Sequence, residues 1–216
     1  MPTPLQQRRL EEKEARRDQI LDAAVAVLAR KGFDDVVLAD VAQEARLSRG
    51  LLYTYFRDKV DLYHGVGVRA TRELHRRFEA AVAAHEAGRD QVNGIGRAYV
   101  RFAAEEPVLF EALARSEARE VDPEAEARPH AKAGLQASQG VFRTFIAAIE
   151  RGMTDGTIRP DLGDPAETAL ALWGVVHGVV QVTAHREALL GPLGTDPEAV
   201  HDHAFSLVNR ALTPPS

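Results

Sequence analysis

The sequence predicts an all-α fold of about nine helices, and three observations carry that expectation. Apolar residues recur at three- and four-residue spacing along nearly the whole chain, while two-residue alternation is never sustained. Helix starts are written out: Asp164-Pro165-Ala166-Glu167 sets an acceptor at the N-cap, proline in the first turn and glutamate three residues after the cap, and Thr195-Asp196-Pro197-Glu198 repeats the device. The 216 residues are 45% hydrophobic and 27% charged, the mix of a globular chain with enough apolar material for a core.

Taken in order, Ile20, Ala24, Val27 and Leu28 form one stripe of a first helix from about Glu11 to Lys31, with Gly32 as its C-cap. Leu38, Val41, Ala42 and Ala45 mark a short second helix, and Ser48 caps a third from Arg49 to about Phe56. Leu62, Val66, Ala70, Leu74, Phe78 and Val82 space out a long fourth helix that ends near Gly88. Ile95, Tyr99, Phe102 and Ala103 define a fifth, closed before Pro107, and Val108 to Leu113 a short sixth. Residues 115–132 hold two prolines and few large apolar groups, which reads as a mobile loop. Leu135, Ser138, Phe142, Phe145 and Ile149 give a seventh helix, ended by the breakers of residues 153–165. The eighth, to about His185, is apolar nearly all round, so it must be covered on more than one face. Val200, Ala204, Leu207, Val208 and Ala211 line the ninth, and residues 213–216 read as a frayed tail.

Composition removes several classes of function. Cysteine is absent, which excludes disulfides, thiolate metal sites, Fe–S clusters and a cysteine nucleophile. The start is polar with no apolar run, and the greasiest stretch, Ala169 to Thr183, is shorter than the roughly 20 residues of a membrane span. The expected setting is cytoplasmic, away from membranes. Asn93-Gly94-Ile95-Gly96 lacks the rest of a dinucleotide loop, and no hydrolase elbow or His-Glu-x-x-His occurs. His201 and His203 point to different sides of a helix, so no metal site is expected there. Neither an enzyme nor a bound cofactor is expected.

The net charge of −5 looks wrong for a nucleic-acid binder until it is divided. Residues 1–60 hold 11 Lys/Arg against 10 Asp/Glu, while the remainder holds 16 against 22. The first sixty residues are the part suited to a polyanion, and an acidic body follows. Within that part, two helices of about two turns joined by Arg46-Leu47-Ser48 match a helix-turn-helix, whose second helix enters the major groove. Leu47 is the apolar turn residue. Ser48 caps the third helix and can donate to a phosphate, and the amides behind it favour an anion.

The run Gly32-Phe33, Leu38, Val41-Ala42, Ala45, Leu47-Ser48, Gly50, Leu52-Tyr53, Tyr55-Phe56, Asp58-Lys59 and Leu62 resembles the amino-terminal domain of TetR/AcrR-type transcriptional repressors. Gly156, Ile158-Arg159-Pro160-Asp161 and Leu172-Trp173-Gly174 with His177-Gly178 are similar to carboxy-terminal domains in part of that family. Three positions depart from its pattern. Val36 and Val37 stand where a capping, phosphate-touching Thr or Ser is usual; the turn glycine is Arg46; and the glutamate after the lysine is Val60. A left-handed backbone at Arg46 would cost on the order of 1 kcal/mol, and its side chain could recover this on a phosphate.

The resemblance implies a DNA-binding domain over residues 1–60 and an effector-binding, dimerising domain over residues 61–216. It implies that Ser48, Tyr53, Tyr55 and Lys59 touch backbone phosphates of double-stranded operator DNA; a phosphate contact by Arg46 is an expectation of this chain alone, since the family has glycine there. Arg49, Leu51 and Thr54 would face base edges, with Arg49 reading a guanine. Without the resemblance, Tyr53 and Tyr55 read as core aromatics and Arg49 and Lys59 as solvated charges. The basic pairs Arg8-Arg9 and Arg16-Arg17 are either an arm around the duplex or a soluble fray. Helices eight and nine would form a four-helix bundle in a homodimer, and Gly174-x-x-x-Gly178 permits close backbone approach. The expected effector is a hydrophobic or amphipathic small molecule held by Phe102, Phe110, Phe145, Trp173 and His177, each of which also reads as core. The alternative is a helical dimer that uses the same helix-turn-helix for protein contacts or for non-transcriptional DNA binding.

Overall fold

A computed structural model of the chain describes residues 3–117, 129–185 and 190–215. Among them are nine α-helices: α1 Pro4–Asp35, α2 Leu38–Glu44, α3 Arg49–Tyr55, α4 Lys59–Ala83, α5 Gly88–Glu105, α6 Pro107–Glu117, α7 Pro129–Asp155, α8 Pro165–His185 and α9 Pro197–Leu212. A single 3-10 turn, Gly191–Leu193, lies before α9, and no strand occurs among the described residues. The fold is all-α, as periodicity predicts. The expected loop at 115–132 is helical at both ends, and residues 118–128 lie outside the described residues.

Both written-out starts are real caps. Asp164 Oδ1 accepts from the amides of Ala166 (2.7 Å) and Glu167 (3.1 Å), and Asp196 Oδ1 accepts from that of Ala199 (2.8 Å). Helix α1 begins at Pro4 rather than near Glu11. A capping box explains it: the Thr3 hydroxyl accepts from Gln6 N and the Gln6 side chain accepts from Thr3 N. One-turn pairs then carry the helix, Gln7 to Glu11 and Arg8 to Glu12, both at 3.0 Å. None of these groups is apolar, so hydrophobic spacing could not register this segment. At the other end Gly32 takes φ 75°, the left-handed backbone expected of a cap, and the helix regains a last turn through Asp35.

The chain divides into two compact units, Met1–Thr71 with Val108–Gln136, and Arg72–Pro107 with Ala137–Ser216. The first is built on Ile20, Ala24, Val27, Leu52, Phe56 and Leu62, all buried. Within it His130, on the first turn of α7, stacks on Phe56 at 5.1 Å and meets the buried Asp61 carboxylate at 2.7 Å. The second is built on Ile95, Tyr99, Phe102, Ile149, Ile158 and Leu212. Here α5 starts hard against the end of α7: a Cβ on Gly88 would sit 2.1 Å from the Gly152 nitrogen, so only glycine fits. The Gly88 amide donates to Asp155 Oδ2 at 2.8 Å and closes the approach.

Glu73 organises one flank of this second unit. It accepts from Arg76 Nη2 and Arg77 Nε, both at 2.7 Å, while Arg77 reaches Glu105 at 2.6 Å. These guanidinium groups, Arg76 first, bring its pKa down from 4.5 to about 2 against a smaller opposing cost of burial. Among the described residues no helix is long and apolar enough to cross a membrane.

Candidate functional site

Helices α2 and α3 are joined by a Schellman turn. The Leu47 amide donates to Ala42 O (2.9 Å) and the Arg46 amide to Gln43 O (3.1 Å), which puts Arg46 at the position that glycine usually takes. Arg46 has φ 56°, the one non-glycine residue with positive φ in the described chain. Its left-handed backbone is the strained arrangement that the missing glycine predicts. Gln19 of α1 holds the turn from outside, with Nε2 donating to Ala45 O at 2.9 Å. Sequence reasoning missed Gln19, which is one polar residue among many on α1.

The second helix starts without a hydroxyl cap, as Val36 and Val37 imply. Asp40 substitutes in part: one carboxylate oxygen accepts from the Val37 amide at 3.3 Å and the other meets Lys31 Nζ at 2.9 Å. The Lys31 hydrogen bond, then that of Val37, holds the Asp40 carboxyl below the ordinary range. Ser48 caps α3 as expected, its Oγ accepting from Leu51 N at 3.2 Å. On the opposite side of the short helix Leu52 is buried, and Phe56 just beyond it is buried too.

That leaves one face of α3 open. Arg49 and Thr54 are exposed, Leu51 is 39% exposed and Tyr53 54%, so Tyr53 is no core aromatic. Tyr55 is half-buried. Thr54 Oγ donates back to Leu51 O at 2.7 Å. Among the described residues neither Arg46 nor Arg49 forms an ion pair, so both guanidinium groups stand in water on the surface around α3. Lys59, at the start of α4, donates to Asp34 O at 2.8 Å and lies 5.5 Å over the Tyr63 ring. One contact of its ammonium is thus fixed, with two further N–H groups to offer. A Cβ built on Gly50 meets nothing within 4 Å, so packing within the chain does not demand glycine there.

The expected effector residues fall in two places. Phe110 belongs to the first unit and is buried, whereas Phe102, Phe145, Trp173 and His177 belong to the second. There Trp173 stacks on His177 with centroids 4.9 Å apart, and Phe142 meets Trp173 edge-on at 6.0 Å. Phe145 packs edge-on against Phe78 at 6.5 Å and Phe102 is fully buried. The Tyr99 hydroxyl lies 2.6 Å from His177 Nδ1. Burial lowers the His177 pKa, so the ring is neutral at pH 7 and shares one hydrogen bond with the Tyr99 hydroxyl. A pairing across 78 positions has no signature in spacing.

Comparison with known proteins meets this geometry at both ends of the chain. Residues 20–66 match the profile described as "Bacterial regulatory proteins, tetR family", and residues 92–208 the "Tetracyclin repressor-like, C-terminal domain". The chain belongs to the TetR family. Family members are DNA-binding transcriptional regulators that bind operators, dimerise and bind small-molecule effectors. Among curated relatives, the HTH-type regulator HbdR of Aromatoleum sp. (strain CIB) is 41% identical over 49 residues, 23% of this chain and 21% of its own length. The repressor KstR of Mycolicibacterium smegmatis is 30% identical over 106 residues, 49% of this chain and 52% of its own. These matches thus span between a fifth and about half of the relatives. The regulator TtgR of Pseudomonas putida aligns more widely at 24% identity, over 79% of this chain and 81% of its own.

Solved structures share the TetR fold over nearly the full length. A protein of unknown function from Rhodococcus sp. RHA1 has a TM-score of 0.74 at 23% identity, covering 92% of this chain and 95% of that one. FadR from Bacillus subtilis, solved in complex with stearoyl-CoA, has a TM-score of 0.69 at 18% identity, covering 90% and 98%.

Proposed function

We propose that this TetR-family chain is a ligand-responsive repressor that binds a palindromic operator as a homodimer and is released by a hydrophobic or amphipathic small molecule. The open face of α3 is the observation that carries this reading: Arg49, Leu51, Tyr53 and Thr54 are presented to solvent while Leu52 anchors the helix from behind. In this reading Ser48, Tyr53, Tyr55, Lys59 and Arg46 contact phosphates, while Arg49, Leu51 and Thr54 face base edges. A guanidinium that reads a guanine through O6 and N7 discriminates by about 1–3 kcal/mol. Residues 1–60 form the reading head and residues 61–216 the regulatory body.

Homodimerisation through α8 and α9 is supported by what those helices leave uncovered. Leu170 is 57% exposed, Val175 47% and Leu207 50%, and a Cβ on Gly174 or Gly178 would meet nothing within 4 Å. A second copy would cover them. Two reading heads would then lie about one DNA turn apart, near 34–36 Å.

The effector site of this reading is the aromatic cluster of Trp173, His177, Phe145 and Phe102 within the second unit. Neutral His177 and the Tyr99 hydroxyl give that apolar group one polar pair for orientation. FadR with stearoyl-CoA is a case of an amphipathic ligand on the same fold. Release is a population shift carried by α4, which supplies residues to both units. Moving the equilibrium from 1:99 to 99:1 takes about 5.5 kcal/mol of differential affinity. The test is Arg49→Ala on a selected operator, which relaxes base preference at one position in each half-site. Unchanged base preference would refute the assignment.

A further inference from the structure

The body of the chain is acidic overall, yet one groove on it is lined by arginine. Between the second half of α4 and α5, Arg76, Arg77, Arg97 and Arg101 surround a cavity of about 410 Å³, and no lining residue carries a carboxylate. Its floor is mostly small, Ala80, Ala81, Ala84, Gly94 and Ala98, with the His85 ring as the one larger side chain besides the arginines. Long cationic walls over a floor of methyl groups leave a trough of the size that small-molecule sites occupy.

The four guanidinium groups are not equivalent. Glu73 holds Arg76 with two hydrogen bonds, at 2.7 and 2.9 Å, and Arg77 with one at 2.7 Å. Those two are aimed and largely neutralised. Arg97 and Arg101 are exposed and have no ion-pair partner among the described residues. They stand four apart on α5, hence on one face, where like charges repel each other. The Arg97 guanidinium carbon lies 5.7 Å from the centroid of the Phe205 ring of α9, a cation–π contact that leaves its N–H edges available to an anion.

We propose that this groove binds a small phosphorylated molecule carrying at least two phosphate groups. Arg97 and Arg101 would each face a phosphate with a planar fork of donors, a match that guanidinium makes bidentately and ammonium does not. Two phosphates one bridging oxygen apart answer two cations one helical turn apart, and their charge relieves the repulsion between them. Ala80 and Ala84 leave room for the rest of the molecule, while the His85 ring closes over Gly94, 3.2 Å from where a Cβ there would sit. The site shares no lining residue with the α3 face or with the aromatic cluster; Arg77 touches the cluster through the Phe102 ring, 5.5 Å away, whereas Arg97 and Arg101, the two residues varied in the test, belong to neither.

Titration of the full-length protein with inorganic pyrophosphate, at constant ionic strength and followed by calorimetry, tests this. Saturable binding is expected, at least tenfold weaker in Arg97→Gln/Arg101→Gln and weakened in Ala80→Glu, which sets a carboxylate on the floor. Arg97→Lys/Arg101→Lys retains the charge and should still lose several-fold, since the forks are gone. An adenosine diphosphate arm separates the two sources of this chemistry. Tighter binding than pyrophosphate assigns the trough to an organic body, and equal binding assigns it to an inorganic polyphosphate; either supports the site. Equal pyrophosphate affinity in the wild type and both charge variants would overturn it. So would undetectable pyrophosphate binding accompanied by loss of duplex DNA retention in Arg97→Gln/Arg101→Gln, which would give the groove to nucleic acid.

Discussion

Arg46 shows how a single residue can serve two opposed ends. At φ 56° it occupies the C′ position of the α2 cap with a side chain that the backbone there disfavours. Arg46→Gly removes the strain, and the folded state should gain up to about 1 kcal/mol, offset in part by the greater freedom of glycine when unfolded. The same change removes a proposed phosphate contact. Thermal unfolding of the variant should therefore show a midpoint equal to or above the wild type. Operator affinity should fall, and the slope of log K against log salt should lose about one unit. A drop in midpoint would mean the side chain is packed rather than strained.

Gly50 separates the same two demands from the other side. A Cβ there has open space in the free chain and sits in a helix, so Gly50→Ala should stabilise by up to about 1 kcal/mol. If α3 lies against the duplex, the added methyl intrudes on that approach, and operator binding should weaken at least tenfold in gel-shift titration while unfolding shows a firmer fold. The left-handed turn was legible because a glycine is missing from an otherwise well-matched motif. Gln19 and the Tyr99–His177 pair were not, since their partners lie 26 and 78 positions away and no local pattern encodes such a contact.

Among the elements, α8 and α9 carry the clearest unanswered demand. Helix α8 reads as apolar on nearly all sides, and within one chain Ala169 and Val180 are covered while Leu170, Gly174 and Val175 are not. Gly178→Leu fills the approach between backbones and Leu207→Glu buries a charge in the proposed contact. Either should convert dimer to monomer in sedimentation at micromolar concentration, with far-UV circular dichroism unchanged. A wild type that sediments as a monomer would remove the dimer.

The α4–α5 flank gives a pH prediction. The Glu73 carboxyl titrates near 2 when folded and near 4.5 when unfolded, so its contribution is present in full above about 4.5 and is lost as pH falls toward 2. Glu73→Gln should cost about 1 kcal/mol at pH 7, the scale of a partly exposed network, and the difference from wild type in urea midpoints should close across that interval. Elements with an apolar face were legible in sequence, with starts at Asp164 and Asp196 fixed by cap chemistry. The first turns of α1 were not, because Thr3, Gln6, Gln7 and Arg8 build helix from polar groups alone.

At the scale of the whole molecule, charge and symmetry decide how selectivity arises. A reading head with 11 basic and 10 acidic residues has little general attraction for DNA, and the acidic remainder adds repulsion. In the proposed reading selectivity then comes from a few placed side chains, used twice by a homodimer. The proposed dimer and the proposed role of the α3 face thus form one claim: on that reading each half-site alone is too small and too weakly charged to be held. Selection of bound duplexes from a random pool, at physiological salt and repeated with a panel of apolar and amphipathic compounds, measures that claim directly. The result expected is a palindrome whose half-site centres lie about 10–10.5 base pairs apart, or a multiple of that, with enrichment abolished by at least one compound. A single unrepeated half-site, or no enrichment over the starting pool, would contradict it.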